Sequence, residues 1–507
     1  MHTYASINLV TAGWIAIIAY MVVILFFVVR GARKISNISD YAVGNIAFSP
    51  IAVGLALAAS MTSAATFIIN PGFIALYGIS GVISYAFVLP AAAMISLVVL
   101  TKGFRKHGSN VKALTMAQWI GTRYKSSGYS IFFAFLSLLL ITFIVLIVVG
   151  LTKILSKTLN ISEIYILIGI VVFIFGYMMY GGANSMVYTN TIQALLMLIV
   201  AFILLGSGYE HFSNGIHGFL DQLRNIDIEL ANTTNSTSFL FRDYFEIIFA
   251  QIVVGVAIVC QPHIITKSLL LKTDKDINRY LVTGVITEII FFLVVITGLY
   301  ARLTFPDLIA NGVTLKMDGI LSAYVVAEFP VFVGLVVVMG LISAGLSTLE
   351  GLIQSLSTTI TADIIEPLFG KSLIEKRNNP DRARISINKI VIAIIAIASI
   401  ILSYDQLINP KLSVAIFAQN GVYAYFAAAF VPILFGMFIK SVPKIVPIAA
   451  SLSAVIVHFT MYYGKIGIPF SQSSGENPGV AACVAILTSL IIGGSMLKLK
   501  KEPNHAN

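Results

Sequence analysis

The sequence predicts an all-α membrane protein with thirteen transmembrane helices. Of its 507 residues, 58% are hydrophobic and only 11% are charged, whereas soluble domains carry about 25% charged residues. Apolar stretches recur along the chain, and each has the roughly 20 residues that a helix needs to cross a bilayer. Strands of a membrane β-barrel would be only about ten residues long, with alternating polarity. We therefore expect helices whose outer surface faces lipid.

The predicted spans follow one another along the chain with short polar loops between them. Their approximate bounds are 9–29, 47–76, 79–101, 128–156, 162–180, 187–208, 244–266, 280–301, 329–362, 385–404, 412–438, 445–463 and 479–497. No charged residue lies between Asp40 and Lys102, which leaves room for two spans and a turn near Gly78. Because no polar segment is long enough to fold alone, we expect one transmembrane domain over residues 1–507.

The basic residues of the loops predict how the spans are oriented. Cytoplasmic loops of membrane proteins are enriched in Lys and Arg, and most of the 32 basic residues fall in cytoplasmic loops if the N-terminus lies outside. We therefore expect a multi-pass protein of the plasma or inner membrane with a cytoplasmic C-terminus. The segment from Met1 to Asn8 contains no Lys or Arg, so we expect the first helix to be retained and not cleaved as a signal peptide. The net charge of +10 is interpreted as a topology signal, and no nucleic-acid partner is expected.

Motifs of other protein classes are missing from the sequence. It has no His-Glu-x-x-His, no Cys-x-x-Cys, no phosphate-binding glycine loop and no His cluster for haem, so we do not expect an enzyme. Cys260 and Cys483 lie in apolar segments and are expected to be buried thiols. A channel is disfavoured because no segment resembles a selectivity filter. A sensor is disfavoured because no signalling domain follows Lys501.

Two predicted spans look unsuited to a continuous helix. The second places small and hydroxyl residues from Leu57 to Thr66 at bilayer depth, and the ninth does so from Ser343 to Gly351. Transporters interrupt helices at mid-membrane and expose backbone carbonyls there, although small residues also simply let helices pack closely. Carbonyl and hydroxyl oxygens are ligands that suit a hard cation such as sodium. We expect both spans to be interrupted and to meet at such a site.

Four stretches resemble the sodium:solute symporter family, and the likeness covers nearly the whole chain. They are Ala59 to Ile68 with Asn70-Pro71-Gly72; Gly181-Gly182 with Val187 to Asn190 and Gln193; Gln261 to Lys267; and Gly345 to Leu349 continuing from Ser355 to Thr359. The resemblance implies a core of five plus five helices related as an inverted repeat, over residues 45–440. Residues 1–44 would add an N-terminal helix and loop, and residues 441–507 two further helices and a tail.

The resemblance also implies a function and the residues that perform it. By position, the sodium site falls on the carbonyls of Ala59, Thr62 and Ala344 and the hydroxyls of Ser347 and Thr348. The matching residues at the solute site are Ser63, Thr66, Gln261, His263, Glu288 and Gln419. The implied activity is sodium-coupled symport into the cell, by alternating access, of a small polar organic solute such as a monocarboxylate, an amino acid or a vitamin-like compound. The expected partners are that solute, sodium and the lipid bilayer, with sodium as the coupling ion and no other cofactor.

Several residues depart from the family pattern or leave alternatives open. Some members, notably proline carriers, have Asp where this chain has Met61. Most have Asp where this chain has Asn190, and that Asp helps to bind a second ion in members with two, so we expect one sodium per cycle. Glu288 and Glu350 lie at bilayer depth, where a charge costs at least about 2.5–3.5 kcal/mol; each is either functional or a neutral group capping a neighbouring helix. Proton coupling through Glu288 and His263 is the alternative mechanism.

Overall fold

The computed structural model describes residues 7–271, 273–310, 312–409, 413–473 and 476–501. Within these residues the chain is almost entirely helical, which confirms the predicted all-α class. The β-strands are Ile309–Ala310 (β1) and Val313–Thr314 (β2), which pair antiparallel. The predicted ends of the domain, residues 1 and 507, lie outside the described residues.

Ten helices are long and apolar enough to cross a membrane, and two further pairs of helices pass the same test when each pair is taken together. In chain order these fourteen helices are α1 (Val10–Ala32), α2 (Pro50–Met61), α3 (Ala65–Tyr77), α4 (Ile79–Gly108), α5 (Ser127–Leu159), α6 (Glu163–Ser207), α7 (Phe245–Ile258), α8 (Pro262–Leu270), α9 (Asp274–Thr304), α10 (Val331–Gly370), α11 (Pro380–Ile408), α12 (Val414–Phe438), α13 (Ile445–Tyr463) and α14 (Pro478–Leu499). Shorter helices in the loops include Ile38–Val43, Met116–Arg123, Gly215–Ile226 and Ile320–Glu328.

The two pairs are broken spans. Helices α2 and α3 meet at an angle of 56°, and helices α7 and α8 meet at 57°. At the second break Gln261 is extended, with φ −77° and ψ 137°, because the following Pro262 disfavours a helical conformation in the residue before it and begins a new helix. The breaks occur in the second and seventh predicted spans, which is the same position in each group of five. This spacing agrees with the predicted inverted repeat.

The predicted number of thirteen spans is not confirmed. The structure gives ten spans, or twelve if each bent pair counts as one. The difference lies in α6, which has 45 residues and one non-helical residue, Gly182, with φ 57° and ψ −166°. Forty-five residues of helix are about 68 Å long, about twice the roughly 30 Å hydrocarbon core. A count of thirteen stays a prediction that requires α6 to cross the membrane twice.

The predicted interruption of the ninth span is wrong. Residues Val331–Thr359 form one continuous α-helix, which ends in a π-helical turn at Ile360–Ile365. The glycines of this helix serve close packing instead, which was the alternative interpretation of its small residues. A β-carbon added at Gly345 would lie 2.7 Å from Leu151 Cδ2, and one added at Gly340 would lie 2.4 Å from Val200 Cγ2.

The broken helix α2 lies at the centre of the bundle. It packs against α6, α9 and α10, while α6 also packs against α10 and α1. Helices α13 and α14 pack against each other and against α12. Apolar side chains from Ile24 to Ile486 form one large buried cluster, and Cys260 and Cys483 are both buried and free. The division of the chain into 1–44, 45–440 and 441–507 stays a prediction.

Candidate sodium and solute sites

Helix α2 ends in a segment whose last carbonyl oxygens point away from the helix ladder. Thr62 caps the helix with φ −86° and ψ 103°, which is extended backbone. The last four carbonyls of a helix have no partner within it, so side chains from elsewhere can take their place. Thr62 itself is fully buried, and the break therefore offers backbone oxygens inside the bundle.

Helix α10 supplies the hydroxyl groups that face this break. Ser347 Oγ donates to the Ala59 carbonyl oxygen at 2.6 Å and lies 3.1 Å from the Ala344 carbonyl oxygen. Thr348 Oγ1 lies 3.2 Å from the Ala344 carbonyl oxygen and 3.4 Å from that of Thr62. The five residues predicted to bind sodium therefore form one buried cluster of uncharged oxygens. That they bind sodium stays a prediction.

Ser60 belongs to the same cluster and was missed by the sequence analysis. Its carbonyl oxygen lies 3.2 Å from Thr348 Oγ1, and its own hydroxyl donates to the Ser347 carbonyl oxygen at 3.2 Å. Its position between Ala59 and Thr62 could have predicted this role, because the last carbonyls of a helix have no hydrogen-bond partner within it.

A cavity of about 100 Å³ lies next to the break. Four of the six residues predicted for the solute site line it, namely Ser63, Thr66, Gln261 and Gln419. Three polar lining residues were not predicted, namely Asn70, Tyr85 and Tyr423. The amide of Gln419 lies 3.5 Å from the Tyr85 hydroxyl across the cavity. Gln261 donates to the Ile258 carbonyl at 3.1 Å, and its Oε1 has no hydrogen-bond partner.

The other two predicted solute residues do not line this cavity. Glu288, on α9, is fully buried behind the break and accepts a 2.5 Å hydrogen bond from the Thr62 hydroxyl, while its Oε1 has no partner. His263 is buried on α8, and both of its ring nitrogens lack hydrogen-bond partners. Its ring centroid lies 6.1 Å from that of Phe143. The structure thus brings Glu288 to the predicted sodium cluster and not to the cavity.

Glu350, two residues after Thr348 on α10, lies within a set of neutral donors. Its carboxylate accepts hydrogen bonds from the hydroxyls of Tyr177 (2.6 Å) and Thr189 and from the amide of Gln193 (3.3 Å). Glu350 is fully buried. These contacts join α10 to α6, so the carboxylate is held in place by the polar residues around it.

The comparisons with known proteins are consistent with this architecture. Residues 41–445 match the sodium:solute symporter family. The sodium/pantothenate symporter of Escherichia coli K12 is 26% identical over 302 residues, covering 58% of this chain and 61% of that protein. The sodium/pantothenate symporter of Haemophilus influenzae is 26% identical over 324 residues, covering 63% of this chain and 65% of that protein. The chain thus matches less than two thirds of the length of each.

A solved structure resembles the whole chain. It is a sodium-coupled sialic acid symporter in a substrate-bound, outward-open state, with a TM-score of 0.77 and 17% identity, covering 96% of this chain and 98% of that one. This likeness concerns the fold, and it confirms the predicted fold class. The family and the relatives named above are transporters and not enzymes. Because the family match extends over most of the sequence, the chain belongs to the sodium:solute symporter family.

Proposed function

We propose that this protein is a secondary active transporter that couples the entry of sodium to the uptake of a small polar organic solute. The observation that carries the proposal is the cluster at the end of α2, where carbonyl and hydroxyl oxygens from α2 and α10 converge. Ser347 and Thr348 each lie within hydrogen-bond distance of carbonyls on both helices. Hard cations prefer such oxygen ligands.

The uncharged nature of the cluster favours a transported ion over a permanently bound one. A cation that must bind on one side of the membrane and leave on the other requires moderate affinity. Neutral oxygens supply a weaker field than a carboxylate in direct contact would. An ionised Glu288 would place its negative charge one group further away, behind the Thr62 hydroxyl.

The lining of the cavity supports a solute that is recognised by hydrogen bonds. No side chain that lines the cavity in the described part of the protein is charged, and the polar ones are hydroxyls, phenols and amides. Such groups suit a neutral solute or a carboxylate that accepts hydrogen bonds. A sodium ion bound at Thr62, the residue before Ser63, would compensate the negative charge of a carboxylate. This arrangement supports a monocarboxylate, an amino acid or a vitamin-like acid as the solute class.

The shared backbone of the two sites gives a physical basis for coupling. Thr62 belongs to the proposed sodium site, while Ser63 and Thr66 line the cavity. An ion that fixes the carbonyl of Thr62 fixes the orientation of the next residues as well. Sodium binding would therefore order the solute site, and the two ligands would bind with positive cooperativity. Alternating access would then carry both across the membrane together.

Uptake into proteoliposomes tests this proposal. The purified protein is reconstituted, and uptake of labelled pantothenate, proline, lactate and sialic acid is measured with sodium or potassium outside, with and without a protonophore. We expect uptake of at least one class of solute that requires external sodium and persists with the protonophore. Uptake that is independent of sodium and abolished by the protonophore would contradict sodium coupling.

Proton-coupled symport is the second candidate function, favoured by one specific observation. Glu288 Oε1 and both ring nitrogens of His263 are buried without hydrogen-bond partners, and such groups are uncommon unless they have a role. No hydrogen bond joins Glu288 to His263 in the described part of the chain, so a proton relay would require further groups between them. The protonophore arm of the uptake assay distinguishes the two mechanisms.

We also propose that the protein lies in the plasma or inner membrane with its N-terminus outside and its C-terminus in the cytoplasm. The distribution of Lys and Arg among the loops supports this orientation. Reporter proteins that are active on only one side of the membrane, fused after Lys501, test it. Activity of a periplasm-dependent reporter at that position would contradict the proposed orientation.

A further inference from the structure

Lys267 is a buried lysine at the centre of the bundle. It lies on α8, the second half of the second broken span, and only 2% of its surface is exposed. Its ammonium group donates to the carbonyl oxygen of Ala56, on α2, at 3.0 Å. Burying an ammonium group is costly unless an opposite charge and hydrogen bonds compensate it.

Asn190 connects this lysine to Glu350. The side-chain amide of Asn190 is oriented with its nitrogen towards acceptors and its oxygen towards donors. In this orientation Nδ2 donates to Glu350 Oε2 at 2.9 Å and to Gln193 Oε1 at 2.9 Å. Its Oδ1 accepts from Lys267 Nζ at 3.1 Å and lies 2.9 Å from Ser60 Oγ, whose one hydrogen is donated either to this oxygen or to the Ser347 carbonyl. One amide side chain therefore bridges a buried ammonium and a buried carboxylate.

The remaining partners of Glu350 are neutral. Tyr177, Thr189 and Gln193 donate hydrogen bonds that favour an ionised carboxylate, but none of them carries a positive charge. The side chain of Asn190 connects Glu350 to Lys267, which is the basic group of this hydrogen-bonded network. Removing one member of a buried ion pair leaves an uncompensated charge and is strongly destabilising.

This network adjoins the proposed sodium site. The hydroxyl of Ser60 lies 2.9 Å from the amide of Asn190 and 3.2 Å from the carbonyl oxygen of Ser347. A carboxylate at Glu350 without Lys267 would therefore be an acidic group beside a site for alkali cations, surrounded by hydroxyl and carbonyl oxygens. Such a group would attract a cation from solution.

We propose that Lys267 is the covalently tethered counter-ion of Glu350. Its ammonium group occupies a position beside the proposed sodium site that a cation from solution would otherwise take. The inference rests on the proposed function in that sodium is the solution cation. It deepens that function, because a tethered ammonium cannot cross the membrane. Only the ion at the oxygen cluster of Ala59 and Ser347 would then travel with the solute, one per cycle.

A double-mutant cycle on the full-length purified protein tests the pair. Thermal unfolding midpoints are measured in detergent for the wild type, Lys267→Met, Glu350→Gln and the double variant, first in choline chloride and then in sodium chloride. Met has a side chain of similar length without the charge. Lys275→Met serves as the control, because Lys275 is exposed and lies in the first turn of α9.

In choline chloride we expect Lys267→Met to lower the midpoint by about 5 °C or more, and Glu350→Gln in the same protein to restore at least half of that loss. In sodium chloride we expect Lys267→Met to gain more stability from the added ion than the wild type does, and this excess to disappear in the double variant. If Lys267→Met is not recovered as folded protein, recovery of the double variant alone supports the pair.

Three results would overturn the inference. The first is that Lys267→Met lowers the thermal midpoint by the same amount whether residue 350 is Glu or Gln, or that neither the single nor the double variant is recovered as folded protein. The second is that sodium raises the midpoint of Lys267→Met no more than that of the wild type. The third is that the larger rise seen in Lys267→Met persists in the double variant. The measurements in choline chloride do not depend on transport. If sodium does not change the thermal midpoint of the wild type, that result counts against the proposed function, and the double-mutant cycle in choline chloride alone then decides whether Lys267 and Glu350 form a pair.

Discussion

The hydroxyl of Ser347 donates a 2.6 Å hydrogen bond to the carbonyl oxygen of Ala59, although the two residues are 288 positions apart in the sequence. This contact joins the continuous helix α10 to the end of the broken helix α2. It places a hydroxyl group at the end of α2, where the backbone carbonyls no longer accept hydrogen bonds from within the helix. The proposed sodium site depends on this relationship, because one helix alone would supply only part of the ligand set.

Replacing Ser347 and Thr348 by Ala is expected to weaken sodium binding. Each change removes one oxygen contact to the ion, worth roughly 1.5–3 kcal/mol by comparison with hydrogen bonds to charged groups. We expect Ser347→Ala and Thr348→Ala each to raise the sodium concentration for half-maximal uptake at least several-fold. Ser355→Ala on the same helix is the control, since that hydroxyl bonds only to the Leu352 carbonyl of its own helix. An unchanged sodium dependence in the Ser347→Ala/Thr348→Ala double variant would remove the proposed site.

Glu288→Gln is expected to affect sodium more than solute. The carboxylate lies against the Thr62 hydroxyl and does not line the cavity. Gln can still accept that hydrogen bond, so the change removes mainly the negative charge that an ionised Glu288 would place near the ion, with an effect on the order of 1–2 kcal/mol. We expect the sodium concentration for half-maximal uptake to rise several-fold and the half-saturating solute concentration, at saturating sodium, to change less than about twofold. Glu328→Gln, at an exposed position, is the matched control. The opposite pattern would place Glu288 in solute recognition.

Gln261→Ala is expected to weaken solute binding. Among the described residues its Oε1 has no hydrogen-bond partner, and its side chain lines the cavity, so the oxygen is available to accept a hydrogen bond from the solute. Leaving a solute donor unpaired costs about 1–3 kcal/mol, and we expect roughly a tenfold rise in the half-saturating solute concentration. Gln222→Ala changes the same type of side chain in the segment between α6 and α7, where Gln222 donates to the His211 carbonyl, and should have no such effect. Equal uptake kinetics for Gln261→Ala and the wild type would exclude this contact.

Gly182→Ala is expected to destabilise the protein. Gly182 has φ 57°, and a β-carbon there would lie 2.8 Å from Tyr41 Cδ2. With ψ −166° this backbone conformation is adopted essentially only by glycine and costs a residue with a β-carbon roughly 1–3 kcal/mol, to which the steric contact adds. We expect the thermal midpoint to fall by several degrees. Gly176→Ala on the same helix meets no atom within 4 Å and should leave the midpoint nearly unchanged; similar midpoints for the two variants would mean that α6 tolerates a regular helix at Gly182.

Much of the fold could be predicted because bilayer spans have a composition and length that can be read directly. The break in the second span was predicted from small and hydroxyl residues at bilayer depth, whereas the proposed sodium ligands Ala59, Thr62 and Ser347 were implied only by the resemblance to the sodium:solute symporter family. The second break was predicted in the wrong span. Gly345 and Gly351 suggested a weak helix, whereas Pro262, which does end a helix, drew no such prediction.

The solute residues show where sequence patterns stop being informative. Ser63 and Gln419 line one cavity although they are 356 positions apart, a proximity that the resemblance implied and periodicity alone could not show. Glu288 was assigned to the solute and lies instead against Thr62. A helix position predicts that a side chain faces the interior, but not which of several interior neighbours it reaches.

Hydropathy and residue size act locally along the chain, and they were enough to predict a bundle of membrane helices with an interrupted second span and hydroxyl-rich segments at bilayer depth. Three features emerged only from the folded arrangement: α10 stays continuous, Glu288 faces the oxygen cluster, and Asn190 joins Lys267 to Glu350. These outcomes depend on how helices distant in sequence approach one another, and buried polar groups take the partners that this packing brings within hydrogen-bond distance.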